Sequence, residues 1–204
     1  MSDSGVCVFI IDDDTSVLEA LSFLISSVGL RTKTYDSATA FLDAYDPDSP
    51  GCIVSDVRMP NMSGLVLQDK LIELGAINPL IFLTGHGDIH MAVEAVKKGA
   101  ADFLTKPFRD QELLDSINSA IEVDAAKRLE KKQIAHLEKN LATLTKREHD
   151  VLKRVVSGQA NKVIAVELNL SPRTVEVHRA HVMDKMQANS LAELVKQMHL
   201  IDSD

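Results

Sequence analysis

Along the first part of the chain, continuous apolar runs alternate with segments of helical periodicity. Val6–Ile11 is apolar throughout, and Cys52–Asp56, Leu80–Thr84 and Asp102–Thr105 are short runs of the same kind. Such runs mark strands covered on both faces. Arg31–Tyr35 is more polar and reads as a strand near an edge. In Thr15–Val28 the apolar residues Val17, Leu18, Leu21, Leu24, Ile25 and Val28 recur at helical spacing, and Gly29 ends the pattern. Ser37–Tyr45, Ser63–Leu74, Ile89–Lys98 and Asp110–Glu122 also read as helices, with a loop from Pro47 to Gly51. Five strand–helix units in succession predict a doubly wound parallel α/β sheet.

From Asp110 to Leu141 the chain has neither proline nor glycine and is rich in good helix formers. Ile134, Leu137, Leu141 and Leu144 follow at 3, 4, 3 spacing. That stripe suits either a short coiled-coil seam or a linker helix packed on its neighbours. The remainder reads as all-α, with helices near 146–157, 160–168, 172–186 and 190–198. Thr145–Glu148 and Ser190–Glu193 are capping boxes, Gly158 stops one helix, and Asn169 with Ser171-Pro172 separates the next two. Val151, Leu152, Val155, Val163, Ile164, Leu168, Val175, Val182, Met186, Leu191, Leu194 and Val195 are the expected core of this four-helix unit. The predicted organisation is residues 1–122, a linker helix 123–140, and residues 141–204.

Charge sharpens the division. The net charge of −8 falls unevenly. Residues 1–122 carry 8 Lys and Arg against 19 Asp and Glu, a balance of −11; residues 123–140 stand at +2 and residues 141–204 at +1. An acidic half can hold a cation, and a near-neutral half with clustered base can meet nucleic acid. No apolar run is long enough for a membrane helix, and Met1-Ser2-Asp3-Ser4 lacks the basic start of a signal peptide. Cys7 and Cys52 both fall in predicted buried strands, as reduced core thiols do. A cytoplasmic protein with no membrane partner is expected.

The strand ends carry the chemistry. The first strand runs into Asp12-Asp13-Asp14, the third ends at Asp56, the fourth at Thr84-Gly85, and the fifth runs into Lys106-Pro107. In a parallel sheet these groups share one carboxyl edge, where open α/β sheets bind ligands. Alone, the Asp triplet is more often a helix cap than a metal site. In order and together, the set resembles the receiver domain of two-component response regulators.

The resemblance implies a flavodoxin-like strand order and a phosphoryl group accepted on Asp56. It implies Mg²⁺ (or Mn²⁺) held by Asp13 and Asp56 directly, by Asp12 through water, and by the backbone carbonyl of Arg58. A divalent ion neutralises the charge that a phosphoryl group brings beside a carboxylate. Lys106 adds a compact cation, Thr84 a hydroxyl donor, and Pro107 a cis bond. Thr84 and Phe103 are the switch pair, though Phe103 alone is also an ordinary core aromatic. The face over 89–109 then becomes a dimer surface. Arg58 and His86 are either tuners of the phosphoryl lifetime or solvated loop side chains.

Leu144-Thr145-Lys146-Arg147-Glu148, Asn161-Lys162-Val163-Ile164-Ala165 and Ser171-Pro172-Arg173-Thr174-Val175-Glu176-Val177-His178 resemble the LuxR-type helix-turn-helix. With the receiver, the whole chain resembles a FixJ/NarL-type response regulator. The resemblance implies that helix 172–186 enters the major groove of promoter DNA. Glu176, Val177 and Ala180 face bases. Lys162, Ser171, Arg173, Thr174, Arg179, His181 and Lys185 face phosphates. Without the family, the basic residues among them read as solvated surface charge. The implied partners are a sensor histidine kinase docking on helix 15–28, a second copy of the chain upon phosphorylation, and RNA polymerase. The expected role is a transcriptional regulator, an activator rather than an enzyme. A phosphorelay intermediate without DNA, and a regulator working without phosphate, are the alternative classes.

Overall fold

The computed structural model describes residues 5–85 and 89–202. The chain divides into two compact units, Met1–Arg128 and Leu129–Asp204.

In the first unit, strands β1 (Cys7–Ile11), β2 (Arg31–Tyr35), β3 (Gly51–Asp56), β4 (Leu80–Thr84) and β5 (Asp102–Thr105) form one parallel sheet in the order β2-β1-β3-β4-β5. Helices α1 (Thr15–Ser27), α2 (Ala38–Ala44), α3 (Gly64–Glu73), α4 (Ile89–Lys97) and α5 (Asp110–Leu141) follow the strands in turn. α5 is one continuous helix, as the lack of glycine and proline permits. Among the described residues, no helix is long and apolar enough to cross a membrane.

The two-residue period of a strand sends alternate side chains to opposite faces. Cys7, Phe9, Ile11, Ile53, Leu80 and Phe82 meet α2 and α3 through Phe41, Leu67 and Leu71. Val8, Ile10, Cys52, Val54, Ile81 and Leu83 meet α1 and α5 through Leu21, Ile25, Leu113 and Ile117. Both faces are therefore dry, which is why β1, residues 52–54 of β3 and residues 80–83 of β4 read as unbroken apolar runs. β2 pairs only with β1 and keeps its polar residues at the sheet edge. Cys7 and Cys52 fall in opposite face clusters and both are free thiols. Burial, foremost, raises the pKa of each, that of Cys52 to about 12.

The second unit contains the end of α5, then α6 (Lys146–Val156), α7 (Asn161–Leu168), α8 (Pro172–Lys185) and α9 (Leu191–Asp202). The Thr145/Glu148 capping box closes in full at the start of α6. The second box forms by half: Ser190 caps Glu193 N–H, but the Glu193 carboxylate accepts from Asn189 N–H. α9 runs to Asp202, beyond the expected end at 198. Leu144, Val151, Leu152, Val155, Ile164, Ala165, Val175, Val182, Met186, Ala188 and Leu194 make the core. Val163 and Leu191, expected inside, are 48% and 41% exposed. A helix cannot turn three consecutive residues inward, and Ile164 with Ala165 takes the inner positions of α7.

Candidate functional site

The strand order puts β1 beside β3, where the order of connection reverses, and parallel sheets bind ligands at the carboxyl edge of such a point. Asp12 follows β1 and Asp56 ends β3. Both are buried, at 3% and 9% exposure, whereas Asp13 is exposed. The Lys106 ammonium, arriving from the end of β5, lies 2.9 Å from Asp12 Oδ2 and 2.9 Å from Asp56 Oδ1. Burial lowers the Lys106 pKa, but the hydrogen bonds to Asp12 and Asp56 outweigh burial and leave it raised. The lysine is thus a fixed cation between two carboxylates. The Lys106–Pro107 bond is cis.

Each carboxylate is also held by backbone. Arg58 N–H donates to Asp56 Oδ2 at 2.6 Å, and Asp14 N–H donates to Asp12 Oδ1 at 3.0 Å. Asp14 is the N-cap of α1, accepting from Ser16 N–H, so the triplet divides its roles between cap and site. The side chain of Arg58 is exposed. Thr84 is buried at the end of β4, and its carbonyl accepts Lys106 N–H at 2.7 Å. Phe103 is half-buried against Phe82, with ring centroids 6.1 Å apart. His86 lies outside the described residues.

The donor set of Asp12, Asp13, Asp56 and the Arg58 carbonyl is all oxygen, which suits a small hard cation such as Mg²⁺. Asp12 and Asp56 are already arranged around a positive charge, that of Lys106. Asp12, Asp13 and Asp56 do not form a group with every ligand atom within 4.8 Å.

Gly64, absent from the sequence-based site, is required beside it. A Cβ there would lie 2.4 Å from the Asp56 carbonyl oxygen and 2.9 Å from Phe82 Cε1. The first of these is backbone and cannot swing aside. Gly64→Ala is expected to cost about 1–3 kcal/mol and to displace Asp56. An unchanged denaturation midpoint would refute this. The only sequence signal was a glycine just after the Ser63 cap, which looks like any helix start.

In the second unit, α7 and α8 form a tight pair. Asn169 adopts a left-handed conformation (φ 54°) after α7, and Ser171 with Pro172 starts α8. Val175, Val182 and Met186 are buried, and Lys162, Ser171, Arg173, Glu176, Val177, Ala180 and His181 are exposed. Three other expected phosphate contacts have partners within the unit. Thr174 hydrogen-bonds Ser171, its cap, so both hydroxyls serve the helix start. Arg179 Nη1 donates to Asn161 Oδ1 at 2.7 Å. Lys185 Nζ donates to Glu148 Oε2 at 2.7 Å and to the Thr143 carbonyl at 3.2 Å. Glu148 is buried, and hydrogen bonds from Lys185 and then Thr145 N–H pull its pKa down to about 2. The sequence marked Glu148 as a cap but gave no sign of these further bonds.

The comparisons with known proteins follow the same division. Residues 8–118 match the response regulator receiver domain, and residues 142–198 match the bacterial regulatory proteins of the luxR family. The response regulator protein TmoT of Ectopseudomonas mendocina is 49% identical over 196 residues, 96% of this chain and 89% of that protein. The transcriptional regulatory protein FixJ of Azorhizobium caulinodans is 49% identical over 189 residues, 93% and 90% of the two chains. Among solved structures, the response regulator StyR superposes with a TM-score of 0.83 at 43% identity, covering 97% of this chain and 98% of that one. Full-length FixJ from B. japonicum gives 0.59 at 42% identity, covering 98% of each.

Proposed function

Because the chain belongs to the transcriptional response regulators that join a receiver domain to a LuxR-type DNA-binding domain, we propose that Asp56 is the phosphoacceptor of a two-component switch. The observation that carries this is the Lys106 ammonium, 2.9 Å from both Asp12 and Asp56 at the carboxyl edge. The donor is the phosphohistidine of a sensor kinase docking on α1. An Asp56 carboxylate oxygen bonds to phosphorus as the phosphorus–nitrogen bond to the kinase histidine breaks. Asp13, Asp56 and the Arg58 carbonyl would hold Mg²⁺ or Mn²⁺ directly, with Asp12 acting through water. Bound there, the ion neutralises and orients the phosphoryl oxygens.

Lys106, already a fixed cation, moves from Asp12 onto a phosphoryl oxygen. Thr84 donates its hydroxyl to another, and Phe103 turns inward behind it. This is a two-state element biased by a local charge. The surface over residues 89–109 then pairs with a second copy. The dimer places the two α8 helices on promoter DNA, where Glu176, Val177 and Ala180 read bases. Lys162, Ser171, Arg173, Thr174, Arg179, His181 and Lys185 meet phosphates; of these, Arg179 and Lys185 must share their present partners or leave them. The bound dimer recruits RNA polymerase as an activator in the cytoplasm. The functional divisions are residues 1–122, 123–140 and 141–204, with α5 packing on the first unit as far as Arg128.

The test is DNA affinity at one fixed salt concentration, with and without Mg²⁺ and a small phosphodonor, because phosphate contacts are strongly salt-dependent. Donor-dependent tightening, abolished in Asp56→Asn, is expected. Equal affinity with and without donor would overturn the switch.

A further inference from the structure

Among the described residues outside the strand edge, one group of ligand-bearing side chains converges, in the second unit. Glu148 on α6 and His178 and His181 on α8 each offer one ligand atom, all three within 4.8 Å of one another. His178 and His181 are three residues apart and share a face of α8. α6 and α8 are packed together through Val151, Leu152, Val175 and Val182, so the two sides of the cluster are held at a set separation.

The Glu148 carboxylate divides its work. Oε2 accepts from Thr145 N–H at 2.8 Å and from Lys185 Nζ at 2.7 Å. Oε1 faces His181 Nδ1 at 3.5 Å. That distance is long for a hydrogen bond. It is close to the separation of about 3.4 Å between two ligands on a tetrahedral ion with bonds of about 2.0–2.1 Å. His178 Nδ1 is buried without a hydrogen-bond partner, and buried polar atoms rarely remain unpaired. Two imidazoles and a carboxylate are the donor set of a borderline divalent ion, unlike the all-oxygen edge of the first unit.

We propose that Glu148, His178 and His181 form a site for a borderline divalent cation such as Zn²⁺, tying α6 to α8. Three protein ligands leave one position open to water. The Lys185 ammonium stays on the other Glu148 oxygen, and its charge weakens the hold on a cation. An ion there fixes His181 beside Glu148 at close to its present separation. If α8 binds DNA as proposed above, occupancy alters its phosphate-facing side; the site itself does not depend on that reading.

The experiment uses the full chain carrying Asp56→Asn in millimolar Mg²⁺, so that binding at the acidic edge is weakened and contested. Zn²⁺ is titrated by calorimetry and Co²⁺ by visible absorption. One ion of each is expected to bind, Co²⁺ with the intense band of a tetrahedral nitrogen-containing site. His181→Ala, at an exposed position that leaves the fold intact, weakens binding at least about tenfold and removes the band. His178→Ala does the same, while His136→Ala, on α5, changes neither. Should His178→Ala fail to fold, His181→Ala decides alone. Absence of the band in the Asp56→Asn parent chain, or the same affinity in His181→Ala, would overturn the proposal.

Discussion

Arg128→Ala is expected to destabilise the first unit by about 3–5 kcal/mol, the cost of stranding a buried charge. Arg128 Nε lies 2.8 Å from Asp124 Oδ2, and the side chains are 15% and 3% exposed. The guanidinium also donates to the carbonyls of Pro47, Asp48 and Ser49 at 3.1, 3.0 and 2.6 Å. Asp124 Oδ2 accepts Gly51 N–H at 2.9 Å. Together they clip α5 to the loop that starts β3. Without Arg128, the carboxylate stays buried with one backbone donor, and its Oδ1 already has no partner. Asp124→Ala leaves Gly51 N–H unpaired and the guanidinium charged but still on three carbonyls and near solvent, so about 1–3 kcal/mol is expected. Gly51 gives the loop no slack: φ is +135°, and a Cβ would lie 1.8 Å from the Cys7 carbonyl oxygen.

The chain has no tryptophan, and its only tyrosines are Tyr35 and Tyr45, both in this unit. Tyrosine fluorescence during urea denaturation therefore reports on the first unit alone. Equal losses in the two variants, or less than about 1 kcal/mol in Arg128→Ala, would mean that the clip is peripheral.

In the second unit the same reasoning predicts an asymmetry around Glu148. Lys185→Met is expected to cost about 3 kcal/mol, because it leaves a carboxylate that is 5% exposed without its main counter-charge. Glu148→Gln is expected to cost less, about 1–2 kcal/mol. The amide keeps the shape, and Lys185, 33% exposed, can rehydrate. Native-state hydrogen exchange in α6 and α8 measures both. A larger loss in Glu148→Gln would sink the argument, since it would place the energy in the cap rather than the buried charge.

Periodicity alone determined much of this protein. Buried strands such as β1 and β4 announce themselves because both faces are apolar. Ser171-Pro172 and Thr145–Glu148 announce helix starts because capping is local chemistry. Asp12, Asp56, Thr84 and Lys106 could be placed on one edge because parallel strands share a direction. Strand order was different: no spacing encodes it, and it came from a resemblance.

Other features were decided by the tertiary structure alone. Val163 and Leu191 fit an apolar pattern, but which residue of a helix turns inward depends on what it packs against. The Arg128–Asp124 clip on Gly51 joins positions 73 residues apart, so a residue read as linker holds the first unit together. Gly64 matters only because the Asp56 backbone passes within reach of its missing Cβ. Glu148, His178, His181 and Lys185 become one cluster only when α6 lies on α8. Sequence reports what each segment prefers by itself. Contacts between distant segments depend on packing, where one residue's environment is another's side chain.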